Sequence, residues 1–219
     1  MLDIPPPAPR GQVIALLGAE STGKTTLAHD LRDALAGDGQ RVAVVDEYLR
    51  EFCDAQGRTP SPHEQRAIAD EQLRRIAHAA AQHDIVIADT TALTIAVYSE
   101  FLFNDRSLIE PARKAQSGYA LTLLTALDIP WQADAHQRDG AHVREPIDRL
   151  LRAALTGADL PFSVVCGTGP LRLSNALAAV RTALRMERAS ADVEALPRWQ
   201  WVCERCGDAQ CERHLLPGV

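Results

Sequence analysis

Short, nearly continuous apolar runs recur along the chain, with helical patterns between them. The runs are Val13–Leu17, Val42–Val45, Ile85–Ala88, Tyr119–Leu124 and Ser163–Cys166. Strands buried on both faces read this way, whereas a strand with one wet face alternates apolar and polar positions. Leu27, Leu31 and Leu35 repeat at helical spacing after the first run. Ala69, Leu73, Ile76, Ala77 and Ala80 form a second stripe, Ile147, Leu150, Leu151 and Ala154 a third, and Leu173, Leu177, Val180 and Leu184 a fourth. The second helix has a start signal in Ser61-Pro62-His63-Glu64, where Ser61 is the cap, Pro62 the first helical residue and Glu64 the reciprocal partner of a capping box. Five buried strands alternating with helices predict an α/β fold, a doubly wound five-stranded parallel sheet with right-handed crossovers. Residues 1–11, with prolines at 5, 6, 7 and 9, read as a flexible lead-in, residues 12–190 as the α/β domain and residues 191–219 as a C-terminal tail.

Composition narrows the function classes. A chain of 219 residues, 46% hydrophobic, suits one α/β domain with a sizeable core. The net charge of −6 argues against a dedicated nucleic-acid binder, whose footprint is basic. No apolar run reaches membrane-spanning length, and the N-terminus lacks a basic region followed by an apolar stretch. Five cysteines do not make a disulfide scaffold at this size, so a cytoplasmic setting with reduced thiols is expected.

The first strand runs into chemistry. Gly18-Ala19-Glu20-Ser21-Thr22-Gly23-Lys24-Thr25 matches the phosphate-binding pattern G-x-x-x-x-G-K-[ST], with Thr26 next to it. It sits between a predicted strand and a predicted helix, the context the motif requires. The glycines let backbone N–H groups wrap phosphate oxygens, and the helix beyond adds its positive end. Lys24 is placed for the β- and γ-phosphates, and the Thr25 hydroxyl for Mg²⁺. ATP and Mg²⁺ are the expected ligands of a P-loop NTPase.

Ligands of open α/β sheets bind at the carboxyl ends of the strands, and three predicted ends are polar. The third ends in Asp89-Thr90-Thr91, and Asp89 has the form of a metal-holding acid; a plain helix cap is the competing reading. The second ends in Asp46-Glu47-Tyr48 with Arg50 behind, where Glu47 suits an acceptor hydroxyl proton and Tyr48 a planar ring. The fifth ends in Gly167-Thr168-Gly169. After the fourth strand the segment from Asp128 to Gly140 is polar and holds Pro130 and Trp131, and it runs on into Arg144. It reads as a lid, with Arg138 and Arg144 as candidate cations for a migrating phosphoryl group.

Four stretches together resemble the ribosylnicotinamide kinase domain of a bacterial bifunctional NAD-biosynthesis regulator: residues 18–27, Asp46-Glu47-Tyr48-Leu49-Arg50, Asp89-Thr90-Thr91 and Asp128-Ile129-Pro130-Trp131-Gln132-Ala133-Asp134. The resemblance spans roughly residues 12–185. It implies a P-loop kinase fold and use of ATP with Mg²⁺ to phosphorylate the 5′-hydroxyl of nicotinamide riboside. Carried over, Lys24 and Thr25 act on ATP and metal, Asp89 stands at the reaction centre, and Arg138 is the lid cation. Asp46, Glu47, Tyr48, Arg50 and Trp131 belong to the acceptor side. Two positions depart from the pattern: Thr91 stands where the family often has a second acid, and Asp46 where the regulator has tryptophan.

The tail carries a separate signal. Cys203, Cys206 and Cys211 fall within nine residues, with His214 behind them. Four such side chains fill a tetrahedron and make one structural Zn²⁺ the expectation for this Cys-rich tail; a tail with reduced thiols is the alternative. Two functional classes follow. The first is an ATP-dependent small-molecule kinase acting on a nucleoside-like acceptor in NAD metabolism. The second is a regulatory P-loop ATPase acting through a partner protein.

Overall fold

The structure is a computed structural model that describes residues 11–132 and 140–192, with side-chain surroundings up to Arg185. The chain divides into two compact units, Met1–Leu184 and Arg185–Val219. The described part of the second is the helical end at 185–192.

The first unit is built on five strands: β1 (Gln12–Leu17), β2 (Val42–Val45), β3 (Ile85–Asp89), β4 (Leu121–Thr125) and β5 (Ser163–Val165). All pair in parallel in the order β2-β3-β1-β4-β5. Strand β1 is central, with Ile14 opposite Ile87 on one side and Leu121 on the other. The helices are α1 (Lys24–Gly37), α2 (Tyr48–Gln56), α3 (Gln65–Ala80), α4 (Ala92–Phe103), α5 (Ile109–Gln116), α6 (Arg144–Thr156) and α7 (Gly169–Asp192). Among the described residues, no helix is long and apolar enough to cross a membrane.

The period of two along each strand sorts the core onto two faces. Ile14, Leu16, Ile85, Ile87 and Leu123 face Leu27, Leu31 and Leu35 of α1 and Ala176 and Val180 of α7. Leu17 and Leu124 face the layer that includes Ile68 of α3, Leu93 of α4 and Ile147 and Leu151 of α6. Val13, Val86 and Ala88 meet Ile76 and Ala80 of α3. Each fully buried leucine or isoleucine contributes about 1.5–3 kcal/mol. The continuous apolar runs are therefore the sequence trace of a sheet covered on both sides.

Three elements differ from the sequence expectation in instructive ways. Strand β4 runs Leu121–Thr125, two residues later than predicted at its start and one later at its end, which puts a threonine at the strand terminus. Helix α4 buries Leu93, Ile95, Ala96 and Val97 all round its circumference, so it has no polar stripe and no helical period to read. In α3, Ala77 is exposed, and Gln72 and Ile68 are buried in its place on the inner face. The start signal at Ser61 makes a 3₁₀ turn, Pro62–Glu64, ahead of α3. There Glu64 accepts from the Ser61 N–H at 2.8 Å, and Arg58 and then Ser61 hold its carboxyl well below the usual range.

Candidate active site

The carboxyl ends of β1, β3 and β4 meet under the phosphate loop. Gly18 has φ +154°, and an added Cβ there would stand 1.9 Å from Thr125 Oγ1. The loop closes against β4 because Gly18 has no side chain. Beneath it the Thr125 hydroxyl lies 3.1 Å from the Leu17 carbonyl and 2.7 Å from Thr22 Oγ1. Thr22 in turn donates to the Ala19 carbonyl at 2.8 Å. Ser21 (φ +52°) and Gly23 (φ +72°) turn the chain into α1, with Gly23 at its cap position. Lys24 is 92% removed from solvent and donates to the carbonyls of Gly18 (3.0 Å) and Ala19 (2.9 Å), so its ammonium lies in the concavity of the loop.

The Thr25 hydroxyl donates to Asp89 Oδ2 at 2.5 Å. Asp89 is buried at the end of β3, and its other oxygen, Oδ1, has no hydrogen-bond partner. An unpartnered buried carboxylate oxygen beside a P-loop threonine is a donor set that fits Mg²⁺. The cap of α4 is Thr91, not Asp89: the Thr91 hydroxyl accepts from the Leu93 N–H at 3.3 Å. It also donates to Gln116 Oε1, and Gln116 donates to Thr122. The position lacking the second acid is thus part of a buried structural network. Between them Thr90 has φ +77°, an outlier for a β-branched residue costing about 1–3 kcal/mol. It is held by its N–H on the Leu16 carbonyl and by Gln72 on its own carbonyl.

Two cavities open here. The first, about 640 Å³, runs along the loop from Ser21 to Leu27 and on to Ile129, Pro130, Gly169 and Arg172. The second, about 340 Å³, has among its lining the polar residues Glu20, Glu47, Gln65, Thr90 and Thr94 and the apolar or aromatic residues Leu49, Ile95, Tyr98 and Phe103. Thr90 Oγ1 and Thr94 Oγ1 are buried with no hydrogen-bond partner. Glu47 and Arg50 are paired at 3.0 Å, Arg50 donating. Lys24 and Arg50 border both cavities.

The other acceptor-side candidates lie elsewhere. Asp46 is exposed and points to His29, 3.7 Å away. Tyr48 packs against the helical layer with the Arg75 guanidinium 4.4 Å above its ring, because Gln72 draws its N–H toward α3. Neither belongs to the lining of the second cavity, and neither does Trp131, whose neighbours Pro130 and Gln132 border the first. Arg144 is a buried tether rather than a lid cation, donating to the Ile129 carbonyl at 2.8 Å. Arg138 lies outside the described residues, as do Cys203, Cys206, Cys211 and His214. Among the described residues no group of three potential metal-ligating side chains of the zinc-binding kind occurs.

The structure adds Arg172, which nothing in the sequence pattern singled out. Its guanidinium donates to Asp128 (2.9 Å), to the Gly167 carbonyl (2.8 Å) and to the Thr22 carbonyl inside the loop (2.8 Å). It therefore ties the ends of β4 and β5 to the phosphate loop. Burial pushes the Asp128 carboxyl up, but the Gly167 N–H and Arg172 outweigh it and hold the group below its ordinary value. The available signal is an arginine in the first turn of a helix that follows Gly167-Thr168-Gly169, but such a residue is normally solvated.

This arrangement of loop, threonine and buried acid is that of a P-loop domain. The chain belongs to the AAA domain family, which matches residues 13–172. Its fold is similar to that of NadR and of a thymidylate kinase. The NadR protein in complex with NR superposes with a TM-score of 0.66 at 21% identity, covering 79% of this chain and 50% of that one. NadR in complex with NAD and AMP-PNP gives 0.64 at 21% identity over 79% and 49%. Thymidylate kinase from Ehrlichia chaffeensis gives 0.57 at 16% identity over 80% and 99%. The chain spans about half the length of the NadR chains it resembles. No curated protein matches it.

Proposed function

We propose that the protein is an ATP-dependent small-molecule kinase that phosphorylates a hydroxyl of a nucleoside-like acceptor, with nicotinamide riboside the first compound to test and NAD salvage the metabolic setting. The observation that carries this reading is the pair of cavities meeting at Lys24 and Arg50. A hydrolase needs one cavity and a water; a transferase needs room for an acceptor beside the donor phosphates. The NadR structures in complex with NR and with AMP-PNP support both halves of it.

In this reading ATP lies along the first cavity with its phosphates in the loop. Lys24 binds the β- and γ-phosphates, and Thr25 and Asp89 would hold Mg²⁺, which neutralises charge on the phosphate oxygens. The acceptor occupies the second cavity, its planar part against Tyr98 and Phe103 and its hydroxyls against Thr90, Thr94 and Gln65. The acceptor oxygen forms a bond to the γ-phosphorus while the bond from that phosphorus to the ADP oxygen breaks. The hydroxyl proton passes to a carboxylate. Glu47 borders the acceptor cavity, so it is the candidate base, and Asp89 is left to the metal. Arg138 keeps its role as a lid cation in this proposal.

The test is ADP formation by the full chain with and without a panel of ribosides. Stimulation by nicotinamide riboside or a related nucleoside supports the reading. Turnover that no riboside accelerates, but a partner protein does, moves the assignment to the regulatory ATPase. One structural Zn²⁺ on Cys203, Cys206, Cys211 and His214 is proposed from the density of thiols gathered in the tail. Metal analysis of protein purified without added metal decides it: about one zinc per chain, lost in a Cys203→Ser, Cys206→Ser double variant, supports the site.

A further inference from the structure

Helix α3 carries a glutamine, Gln72, on its inner face, in line with Ile68 and Ile76. The residue is 0% exposed. A buried amide is tolerated only where its hydrogen bonds are made. Gln72 makes three, and none goes to its own helix. Its Oε1 accepts from the Tyr48 N–H at 2.8 Å, and its Nε2 donates to the Asp46 carbonyl at 3.3 Å and to the Thr90 carbonyl at 3.2 Å. Both donor hydrogens of the amide are thereby used.

The partners are backbone groups just past the carboxyl ends of β2 and β3. The bonds to residues 46 and 48 bracket Glu47 on both sides. The third holds Thr90, whose φ of +77° is rare for a β-branched residue, beside Asp89. Glu47 and Thr90 both line the second cavity, and Gln72 borders neither cavity, so it acts from behind the wall. The contact between α2 and α3 has a separate outer clamp. Arg75 pairs with Glu51 at 2.7 Å and with Glu71 at 2.8 Å and stands over the Tyr48 ring. Those contacts are with side chains, whereas Gln72 grips the chain itself at 46–48.

We propose that Gln72 is a positioning residue: one buried amide ties the chain on either side of Glu47 to the strand end at Thr90 and so fixes the candidate base against the acceptor cavity. Its effect on turnover rests on the kinase reading; its hold on residues 46–48 does not. A base must stand within about 3 Å of the proton that it takes, and a misplacement of about 1 Å costs up to about a hundredfold in rate.

The experiment compares wild type, Gln72→Met, Arg75→Met, Glu47→Gln and the Gln72→Met, Glu47→Gln double variant in the full chain, at a temperature where unfolding curves show each one folded. Methionine keeps the length of the side chain and makes none of the three bonds. Should Gln72→Met not fold, Gln72→Glu, which keeps one donor when protonated, takes its place. Hydrogen exchange at the Tyr48 amide, relative to amides of β1, should be at least about tenfold faster in Gln72→Met than in wild type or Arg75→Met. With a riboside that is phosphorylated, kcat should fall about ten- to a hundredfold in Gln72→Met while Mg·AMP-PNP affinity stays within about threefold, and Arg75→Met should keep kcat within about threefold. In the Glu47→Gln background the same Gln72→Met change should cost less than about threefold, because the group that it positions is gone. Unchanged exchange at Tyr48 overturns the proposal. So does an equal loss of kcat in Arg75→Met, which makes Gln72 one structural contact among others, and so does a full loss repeated in the Glu47→Gln background. Failure of every riboside to accelerate ADP formation sinks the kinase reading, and the exchange comparison then decides by itself whether Gln72 holds the segment.

Discussion

Replacing Arg172 by methionine tests whether a single buried guanidinium holds the phosphate loop to the rest of the site. Methionine keeps the apolar stem and removes three hydrogen bonds, to Asp128, Gly167 and Thr22. Breaking a fully buried ion pair costs about 3–5 kcal/mol. The Asp128 side chain is 35% exposed, so water recovers part of that loss, and Asp128 keeps its hydrogen bond from Gly167. The buried Thr22 carbonyl loses its donor, at about 1–3 kcal/mol when no water replaces it, and the part-buried Gly167 carbonyl loses less. A net loss of about 3 kcal/mol is expected, a large fraction of a stability of about 5–15 kcal/mol. Denaturant unfolding of Arg172→Met, Asp128→Asn and the double variant measures it, with a coupling energy of about 1–2 kcal/mol expected between the two positions. Arg172→Lys keeps the charge but not the fork and should recover only part of the loss. AMP-PNP affinity should fall in the methionine variant at a temperature where it is still folded, because the Thr22 carbonyl loses its anchor. A destabilisation below about 1 kcal/mol, or effects that add within about 0.5 kcal/mol, would refute the reasoning.

Gly18→Ala should destabilise by about 2–5 kcal/mol, since its Cβ would stand 1.9 Å from Thr125 Oγ1 at a backbone φ of +154°; adding Thr125→Ala should restore part of this, and a double variant no better than the sum of the singles contradicts the steric account. Lys24→Ala should leave the fold intact and abolish most ATP binding or turnover, read by calorimetry and ADP release. Asp89→Asn should lower turnover at least about tenfold, which is about 1.4 kcal/mol of barrier, and unchanged turnover removes Asp89 from the reaction centre. Asp128, held below its ordinary value of 3.8, binds a proton less readily folded than unfolded; its contribution is present above that pH and is lost as pH falls through the lower folded value. The stability gap between wild type and Asp128→Asn should therefore narrow below about pH 4, and a constant gap from about pH 6 to about pH 3 counts against it.

Much of the architecture was legible because it rests on local pattern. The apolar runs marked five strands, of which β1, β3 and β4 are buried along most of their length while β2 and β5 at the sheet edges are only partly so; the Leu27, Leu31 and Leu35 stripe marked α1, and the spacing of Gly18, Gly23, Lys24 and Thr25 marked the loop. Each of these depends on residues close in sequence, where backbone geometry and side-chain period leave few choices. Helix α4 escaped because burial all round removes the amphipathic period.

The tertiary structure decided which distant groups meet. Thr25 and Asp89 stand 64 positions apart and share a hydrogen bond because β1 and β3 are adjacent in the sheet. Thr125 supports Thr22 from 103 positions away, and Arg172 reaches the Thr22 carbonyl from 150 positions away. Strand-end pattern placed Asp46, Glu47, Tyr48 and Arg50 in one acceptor group. The fold divided them, turning Glu47 and Arg50 to the cavity, Tyr48 to α3 and Asp46 to solvent. Residues 46–50, which lead into and begin α2, necessarily point several ways, and only the packing of that helix against Gln72 and its neighbours fixes which side chains face the cavity.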